Sequence, residues 1–281
     1  MVLAAAALTR GDSDDGGGAV PNLLESTDPG PIHVHGLGIN LADGALFIAT
    51  HMGTYRVAPG EQEAARAGNS RQDTMGFSVV GPNRFLGSGH PDPVAMREQG
   101  LPPNLGLIES TDGGRTWRSV SLLGDADFHI LRSHGRRVYG FDSANGRLLA
   151  SDDGGTTWRQ RPIPGPLIDL AAHPQRPSHL VAVTERGLIA STDAGRSWRA
   201  LGGGIGLLAW PAADRLLLVD GAGGVHVSEN QGKRWRPKGD IGGQPAAFLA
   251  QTTIELYVAL HDGTVKRSAD GGESWEIRSA P

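Results

Sequence analysis

The chain has 281 residues, no cysteine and a formal net charge of -4, so disulfides, thiolate metal sites and cysteine nucleophiles are excluded. Charged residues make up 20% of the sequence, and no basic excess favours nucleic acid or an anionic membrane surface as a partner. The 42 glycines and the low aromatic content of 5% favour short strands and tight turns over helices.

Residues 1–25 are predicted to be a signal remnant followed by a flexible, acidic, glycine-rich tether. The apolar run 2–8 (VLAAAAL) and the spacer 11–18 (GDSDDGGG) resemble the end of a lipoprotein signal peptide and its tether. Two features depart from that pattern: no basic segment precedes the apolar run, and Arg10 stands where a lipidated cysteine is expected. We therefore expect an extracytoplasmic protein, secreted or surface-tethered, with an ordinary disordered N-terminus as the alternative. No later stretch is apolar enough to span a membrane.

Residues 26–281 are predicted to form one repeat domain. Upstream of residue 105, the segments 32–59 and 75–90 have the pattern of two inner-strand pairs. The first of these units lacks a turn motif of its own, and residues 19–27 are a candidate for its closing strand.

From about residue 105 onward, one octet recurs five times, with successive starts 41, 40, 37 and 40 residues apart. The copies are Ser110–Trp117, Ser151–Trp158, Ser191–Trp198, Ser228–Trp235 and Ser268–Trp275. The octet resembles the Asp box of BNR repeats, which implies an all-β propeller with the box between the third and fourth strands of each blade. Five blades with a box and one without predict a six-bladed β-propeller.

The octet has a structural explanation at each of its characteristic positions. The aspartate, as in Asp153, can accept backbone N–H groups within the turn. The glycine two residues later supplies a positive φ, and the tryptophan packs between neighbouring sheets. The fourth copy has Asn230 in place of aspartate and is predicted to form the loosest turn. The boxes are therefore interpreted as structural and not as catalytic pairs.

Histidine-containing segments of the N-terminal third resemble exported bacterial proteins described as sialidase-like or glycosyl hydrolase-like. These segments are 33–37 (HVHGL), 49–53 (ATHMG), 73–77 (DTMGF), 87–92 (GSGHPD) and 127–129 (DFH). The resemblance implies a fold and no assigned activity. Sialidase activity itself is not expected, because the opening strand has His33 and His35 where a sialidase places its first arginine. A glycoside hydrolase or carbohydrate-binding propeller remains an alternative, with acids at Asp92, Asp127, Asp142, Glu185 and Asp220.

Five histidines are predicted to converge at one mouth of the propeller, where first strands begin and second strands end. They are His33, His35, His51, His90 and His129. Residues predicted to support them are Met52, Met75, Asp73, Asp92, Asp127 and His261, the three aspartates by orienting imidazole rings. The other four histidines, at positions 134, 173, 179 and 226, are predicted to be structural or solvent-exposed.

Clustered imidazoles without cysteine favour a transition-metal site, and neighbouring thioethers make copper the first candidate, with zinc or another divalent ion as alternatives. The leading hypothesis is an exported, monomeric propeller that binds such an ion for metal handling or metalloenzyme chemistry. A small molecule or glycan is a further candidate ligand at the same mouth. The remaining alternatives are histidines that hydrogen-bond within an inner-strand core, and a protein-docking scaffold without chemistry.

Overall fold

The computed structural model describes residues 30–281, which form six antiparallel sheets of four strands each. The predicted six-bladed β-propeller is confirmed. The predicted signal remnant and tether, residues 1–25, lie outside the described residues, as does the segment 19–27. Within residues 30–281, no helix is long and apolar enough to cross a membrane.

The blades follow one another along the chain, and each is built from consecutive strands. Blade 1 contains β1 (Val34–Ile39), β2 (Leu46–Thr50), β3 (Gly53–Val57) and β4 (Ala65–Arg66). Blade 2 contains β5 (Asp73–Gly81), β6 (Arg84–His90), β7 (Leu107–Ser110) and β8 (Arg118–Ser121), with helix α1 (Pro93–Gln99) between β6 and β7. Blade 3 contains β9 (Phe128–His134), β10 (Arg137–Asp142), β11 (Arg147–Ser151) and β12 (Arg159–Arg161).

The second half of the ring repeats the same order. Blade 4 contains β13 (Leu167–His173), β14 (Arg176–Thr184), β15 (Gly187–Ser191) and β16 (Arg199–Gly202). Blade 5 contains β17 (Gly206–Ala212), β18 (Arg215–Asp220), β19 (Gly224–Ser228) and β20 (Arg236–Asp240). Blade 6 contains β21 (Pro245–Ala250), β22 (Leu256–Leu260), β23 (Val265–Ser268) and β24 (Glu276–Ser279).

The first strands of neighbouring blades contact one another around a central axis, and β21 of blade 6 contacts β1 of blade 1. Second strands such as β2 and β22 are buried along their whole length, because each blade is covered on both faces by its neighbours. Their near-continuous apolar sequences reflect that two-sided burial. The core therefore consists of apolar clusters between adjacent blades, as where Leu46 and Ile48 of blade 1 pack with Tyr257 of blade 6.

The ring closes through side-chain contacts between the last strand and blade 1. Arg278 donates from Nη2 to the carbonyl of Ala58 at 2.8 Å, and the Ser279 hydroxyl donates to the carbonyl of Gln62 at 2.8 Å. Blade 1 takes its fourth strand, β4, from its own sequence. Within the described residues, closure thus occurs without a strand shared between the chain ends.

Each octet forms the turn between the third and fourth strands of its blade. In blade 3, Ser151 Oγ donates to Asp153 Oδ1 at 2.7 Å and accepts the N–H of Gly155 at 2.8 Å. Hydrogen bonds from the Thr157 hydroxyl and amide hold the pKa of Asp153 well below its usual range. Gly155 has φ of +90°, which explains why glycine stands there.

The fourth octet is closed by fewer hydrogen bonds. Asn230 accepts the N–H of Arg234 at 2.8 Å, but arginine at this position offers no hydroxyl, whereas Thr157 donates one in blade 3. The prediction that this is the loosest turn therefore has a physical basis in two departures from the octet, at Asn230 and at Arg234.

Candidate metal centre

The residues at the mouth of blades 1–3 form two groups of potential metal ligands. Group 1 consists of His35, His51 and Asp73, and group 2 consists of His90, Asp127 and His129. Within each group, the three donor atoms lie within 4.8 Å of one another. Four of the five predicted histidines are thus brought together, and two of the aspartates predicted to orient them are themselves potential ligands.

Group 1 spans the interface between blades 1 and 2. His35 is on β1, His51 follows β2, and Asp73 begins β5. His51 Nδ1 lies 2.7 Å from Asp73 Oδ2, and His35 Nε2 lies 3.5 Å from Asp73 Oδ1. The His51 side chain is 61% exposed at the rim, whereas His35 lies deeper, beside the central channel.

Group 2 spans the interface between blades 2 and 3. His90 ends β6, Asp127 immediately precedes β9, and His129 lies on β9. Asp127 Oδ2 lies 2.8 Å from His129 Nε2 and 3.6 Å from His90 Nε2. Group 2 therefore has the same composition as group 1, with one carboxylate facing two imidazoles.

The tautomer of His90 is fixed by a backbone carbonyl. His90 Nδ1 lies 2.9 Å from the carbonyl oxygen of Pro103, which can only accept, so Nδ1 carries the proton. In the neutral ring, Nε2 then presents a lone pair toward the Asp127 carboxylate. Two acceptors that face each other favour a cation between them. Metal-bound histidines typically donate their other ring N–H to such a carbonyl.

β-Bulges lie near this mouth in five of the six blades. In five first strands, one residue near the mouth is left out of the pairing with the second strand. The bulged residues are His35, Met75, His129, Ile168 and Ala246. A bulge re-aims the side chain of its extra residue, and bulges are frequent beside active sites. Half-buried Met75 is therefore the bulged residue of the blade that separates His35 from His129.

Three buried polar atoms of the two groups have no hydrogen-bond partner: His35 Nε2, Asp73 Oδ1 and Asp127 Oδ1. Asp73 is 8% exposed and Asp127 is 5% exposed. An unpartnered buried carboxylate oxygen costs about 1–3 kcal/mol or more, and such groups in a native fold call for an explanation. A cation bound in each group supplies that explanation, so both donor sets fit a metal ion.

The surroundings of His35 keep its imidazole neutral, and burial makes the Asp73 carboxylate costly to ionise. Burial, followed by the neighbouring histidines His51, His129 and His33, lowers the pKa of His35 to about 4. Burial also raises the pKa of Asp73, which the nearby His51 only partly offsets. A neutral imidazole is the form that binds metal, so His35 is already in its ligating form at neutral pH.

Other residues predicted to take part lie at the edge of the site or elsewhere. His33 is exposed, with its ring centroid 6.3 Å from that of His51, and it belongs to neither group. His261 is exposed after β22 and also belongs to neither group. Met52 follows His51 and is half-buried.

Asp92 has a structural role that the sequence analysis did not identify. Its carboxylate accepts the N–H of Val94 at 2.8 Å and caps helix α1, which has proline in its first turn. Asp92 belongs to neither ligand group. The Asp–Pro dipeptide before a run of helix-forming residues was the sequence signal for this cap.

The four remaining histidines have the structural or exposed character predicted for them. His173 is buried against Trp210 and accepts backbone N–H groups at Nδ1, while half-buried His179 packs beside it. His226 pairs with Asp220 at 2.8 Å on the third strand of blade 5, and His134 is exposed.

Several mouth carboxylates considered for glycosidase chemistry are occupied by structural contacts. Asp142 is fully buried and bonded to Arg147, Asn145 and the amide of Asp127. Asp220 accepts two turn amides in addition to the His226 contact. Of the five candidate acids, Asp127 alone is a member of a ligand group within the described residues.

A cavity of about 440 Å³ runs along the propeller axis. The first strands of all six blades line it, and His35 and His129 lie among the lining residues. One histidine from each group therefore faces the central channel, so a small molecule in the channel has access to both groups.

Comparisons with known proteins support the fold. No family model and no curated protein matches the chain. The structure resembles YCF48 from Cyanidioschyzon merolae, with 15% identity and a TM-score of 0.53 over 89% of this chain and 85% of that one. It also resembles the GH74 enzyme of Niastella koreensis, with 15% identity and a TM-score of 0.62. The GH74 xyloglucanase of Xanthomonas campestris has 20% identity and a TM-score of 0.57.

The two GH74 matches cover 88% of this chain but only 45% of theirs, so this chain spans less than half the length of those enzymes. At such low identities the likeness shows the β-propeller fold alone. The assignment of the octets to the Asp-box family stays a prediction.

Proposed function

We propose that this protein binds a transition metal through groups 1 and 2 at one mouth of the propeller. The observation that carries the proposal is the set of unpartnered buried donors, His35 Nε2, Asp73 Oδ1 and Asp127 Oδ1, each within a His–His–Asp group. Imidazole and carboxylate are ligands for zinc, iron and copper. Copper remains the first candidate because it leads the affinity order for such sites and because a thioether residue, Met75, is the bulged residue of blade 2, between the blades of His35 and His129.

The proposed role is metal handling or metalloenzyme chemistry outside the cytoplasm. The predicted export supports copper, since an extracytoplasmic protein meets that ion without the cytoplasmic chaperones that sequester it. A bound ion with an open coordination position polarises a ligand or acidifies bound water. The central channel beside His35 and His129 provides a route for a small ligand to such a position.

A glycoside hydrolase or carbohydrate-binding propeller is the second candidate. Its supporting observation is the raised pKa of Asp73, because a general acid needs a carboxyl group that holds its proton. This candidate requires Asp73 and Asp127 but is indifferent to chelators. A protein-docking scaffold, the third candidate, tolerates replacement of the mouth histidines.

Metal content distinguishes these functions. The protein is purified without a histidine tag, exposed separately to copper, zinc and manganese, dialysed, and analysed by plasma mass spectrometry. We expect at least stoichiometric retention of copper that falls in His35→Ala and His90→Ala. His226→Ala is the matched control, because it removes a histidine paired with an aspartate outside both groups. Sub-stoichiometric retention of all three metals overturns the proposal and directs attention to glycan substrates.

A further inference from the structure

Groups 1 and 2 adjoin one another across a single hairpin of blade 2. Asp73 of group 1 begins β5, His90 of group 2 ends β6, and the two residues are directly paired in the β5–β6 ladder. Side chains at directly opposed positions of an antiparallel pair have Cβ atoms about 4.5–5.5 Å apart. The two groups are therefore neighbours in one mouth and not separate surface sites.

Two of the three members of each group come from equivalent positions of successive blades. His51 directly follows Thr50 in blade 1, and His90 directly follows Gly89 in blade 2. Thr50 and Gly89 each pair with the first-strand residue that comes immediately before the bulged residue. Asp73 and Asp127 each lie two residues before a bulged residue, Met75 and His129. Each group therefore combines a histidine at the end of one blade's second strand with an aspartate at the start of the next blade.

The third ligand makes the arrangement symmetric about blade 2. Group 1 takes His35 from the bulge of blade 1, and group 2 takes His129 from the bulge of blade 3. Both of these histidines line the central channel. The bulged residue of blade 2 itself, Met75, stands between them in the order of the blades.

The donor atoms divide into two sets of three and do not form one set of six. Ligand atoms around one zinc or copper ion lie about 2.0–2.2 Å from it, and hence within about 4.4 Å of one another. Each group meets such spacing nearly as it stands, within 4.8 Å. Each group also has its own nine-tenths-buried carboxylate with an unpartnered oxygen, on Asp73 and on Asp127.

We infer that this mouth holds two metal ions, one in each group, as a single dinuclear centre. The inference rests on the proposed metal-binding function and extends it from one ion to a coupled pair. Three protein ligands leave each ion with open coordination positions. Two divalent ions carry more positive charge than Asp73 and Asp127 neutralise, so an anion such as hydroxide or a small oxyanion is the expected shared ligand. Paired ions act in this way as a clamp on two oxygens of one ligand.

Stoichiometry tests the inference on the full chain. Isothermal titration with copper(II), checked by plasma mass spectrometry after dialysis, is expected to give two ions per chain. His51→Ala and His90→Ala each remove one ligand from one group and are expected to retain one ion each, and the double variant none. These two histidines are chosen because their side chains are 61% and 41% exposed, so their replacement leaves the core intact. His226→Ala serves as the control and retains two ions.

Electron paramagnetic resonance tests whether the ions form one centre. The copper(II)-loaded protein is expected to show dipolar broadening or loss of signal from coupled ions, and either single-group variant a plain mononuclear spectrum. Two ions with no magnetic interaction would overturn the dinuclear centre. One ion per chain, lost in both His51→Ala and His90→Ala, would overturn it as well but leave the proposed metal binding intact. Absence of any binding would remove both.

Discussion

The Asp73→Asn variant tests two properties of the Asp73 carboxylate separately: the free energy that its burial costs and its proposed contribution to metal binding. Asp73 Oδ2 faces His51 Nδ1 at 2.7 Å, but Oδ1 has no hydrogen-bond partner, and neither has His35 Nε2, 3.5 Å away. Burial raises the pKa of Asp73, so the folded chain binds this proton more tightly than the unfolded chain does. Between the unfolded value and the raised folded value, stability therefore falls as pH rises. Above the raised folded value, the metal-free protein carries the full cost of the buried carboxylate.

Asparagine removes the cost without changing the shape of the side chain. Its oxygen can still accept a hydrogen bond from His51 Nδ1, and its NH₂ group faces the unpartnered Nε2 of His35. One net hydrogen bond contributes about 1 kcal/mol to the free energy of unfolding. For a domain of this size, that corresponds to a rise in melting temperature of roughly 2–4 °C. The same change removes the negative charge that group 1 offers to a cation.

Thermal melts at pH 7, in chelator and then with added copper(II), test this reasoning. We expect Asp73→Asn to melt above the wild type in chelator and to gain less stability from metal. Asp220→Asn is the matched control: despite the opposing effect of burial, contacts with His226 and two turn amides lower the pKa of Asp220. The control is therefore expected to destabilise. If Asp73→Asn also melts below the wild type in chelator, Asp73 is a structural carboxylate and the reasoning fails.

Three further variants test the fold and the proposed preference for copper. Asn230→Asp restores the octet carboxylate opposite the Arg234 amide and is expected to stabilise the protein at pH 7, as measured by urea denaturation. The octet aspartates have lowered pKa values in the folded chain. The gain in the free energy of unfolding is therefore expected in full at a pH above the carboxyl pKa of the unfolded chain, and it is expected to be lost as pH falls through the lower pKa of the folded chain. Met75→Leu keeps an apolar side chain and is expected to weaken copper(I) binding in a chelator competition while zinc affinity stays constant; an equal loss of both contradicts a thioether ligand. Ser279→Ala leaves the Gln62 carbonyl without its donor and is expected to cost about 1 kcal/mol in urea denaturation, whereas no change would show that this contact does not secure ring closure.

The blade count followed from the sequence because the octet is a local signal with a fixed chemistry. Its serine, aspartate and glycine close a turn through hydrogen bonds within eight residues, so the motif does not depend on distant parts of the chain. The two-residue strand β4 had no such signal, since Ala65 and Arg66 pair with β3 without a strand-like sequence pattern. Residues 19–27 were instead a candidate for the closing strand of blade 1, because a strand of two residues is too short to show a periodic sequence pattern.

The sequence predicted the candidate metal site to the level of the strand ends, but it did not predict which side chains face one another. Alternation along β1 placed His35 on the same side as His33, but the bulge after Val34 re-aims His35 toward the channel while His33 stays exposed at the rim. A bulge is a shift of register between two strands, and nothing in the spacing of His33 and His35 reveals it. Asp127 was predicted to orient an imidazole ring, and its Oδ2 does lie 2.8 Å from His129 Nε2, but nothing in the sequence indicates that its Oδ1 is buried without a hydrogen-bond partner. The 91–106 segment, whose Pro103 carbonyl fixes the His90 tautomer, likewise lies outside the repeat pattern.

The repeat and the site occupy different edges of the same blades, which explains how one sequence serves both. The octets close the turns between third and fourth strands, far from the axis, while the candidate ligands lie where first strands begin and second strands end. At that inner edge the residue at the equivalent position differs from blade to blade: it is His51 in blade 1, His90 in blade 2 and Ser143 in blade 3. The backbone N–H of Ser143 donates to the backbone carbonyl of Asp127, just as the N–H of His51 donates to the carbonyl of His33. His261 of blade 6 makes the same backbone contact, with Gln244. The repeat thus fixes where these residues lie in each blade. The residue types at the mouth determine the chemistry there, and they can vary because the octet turns do not depend on them.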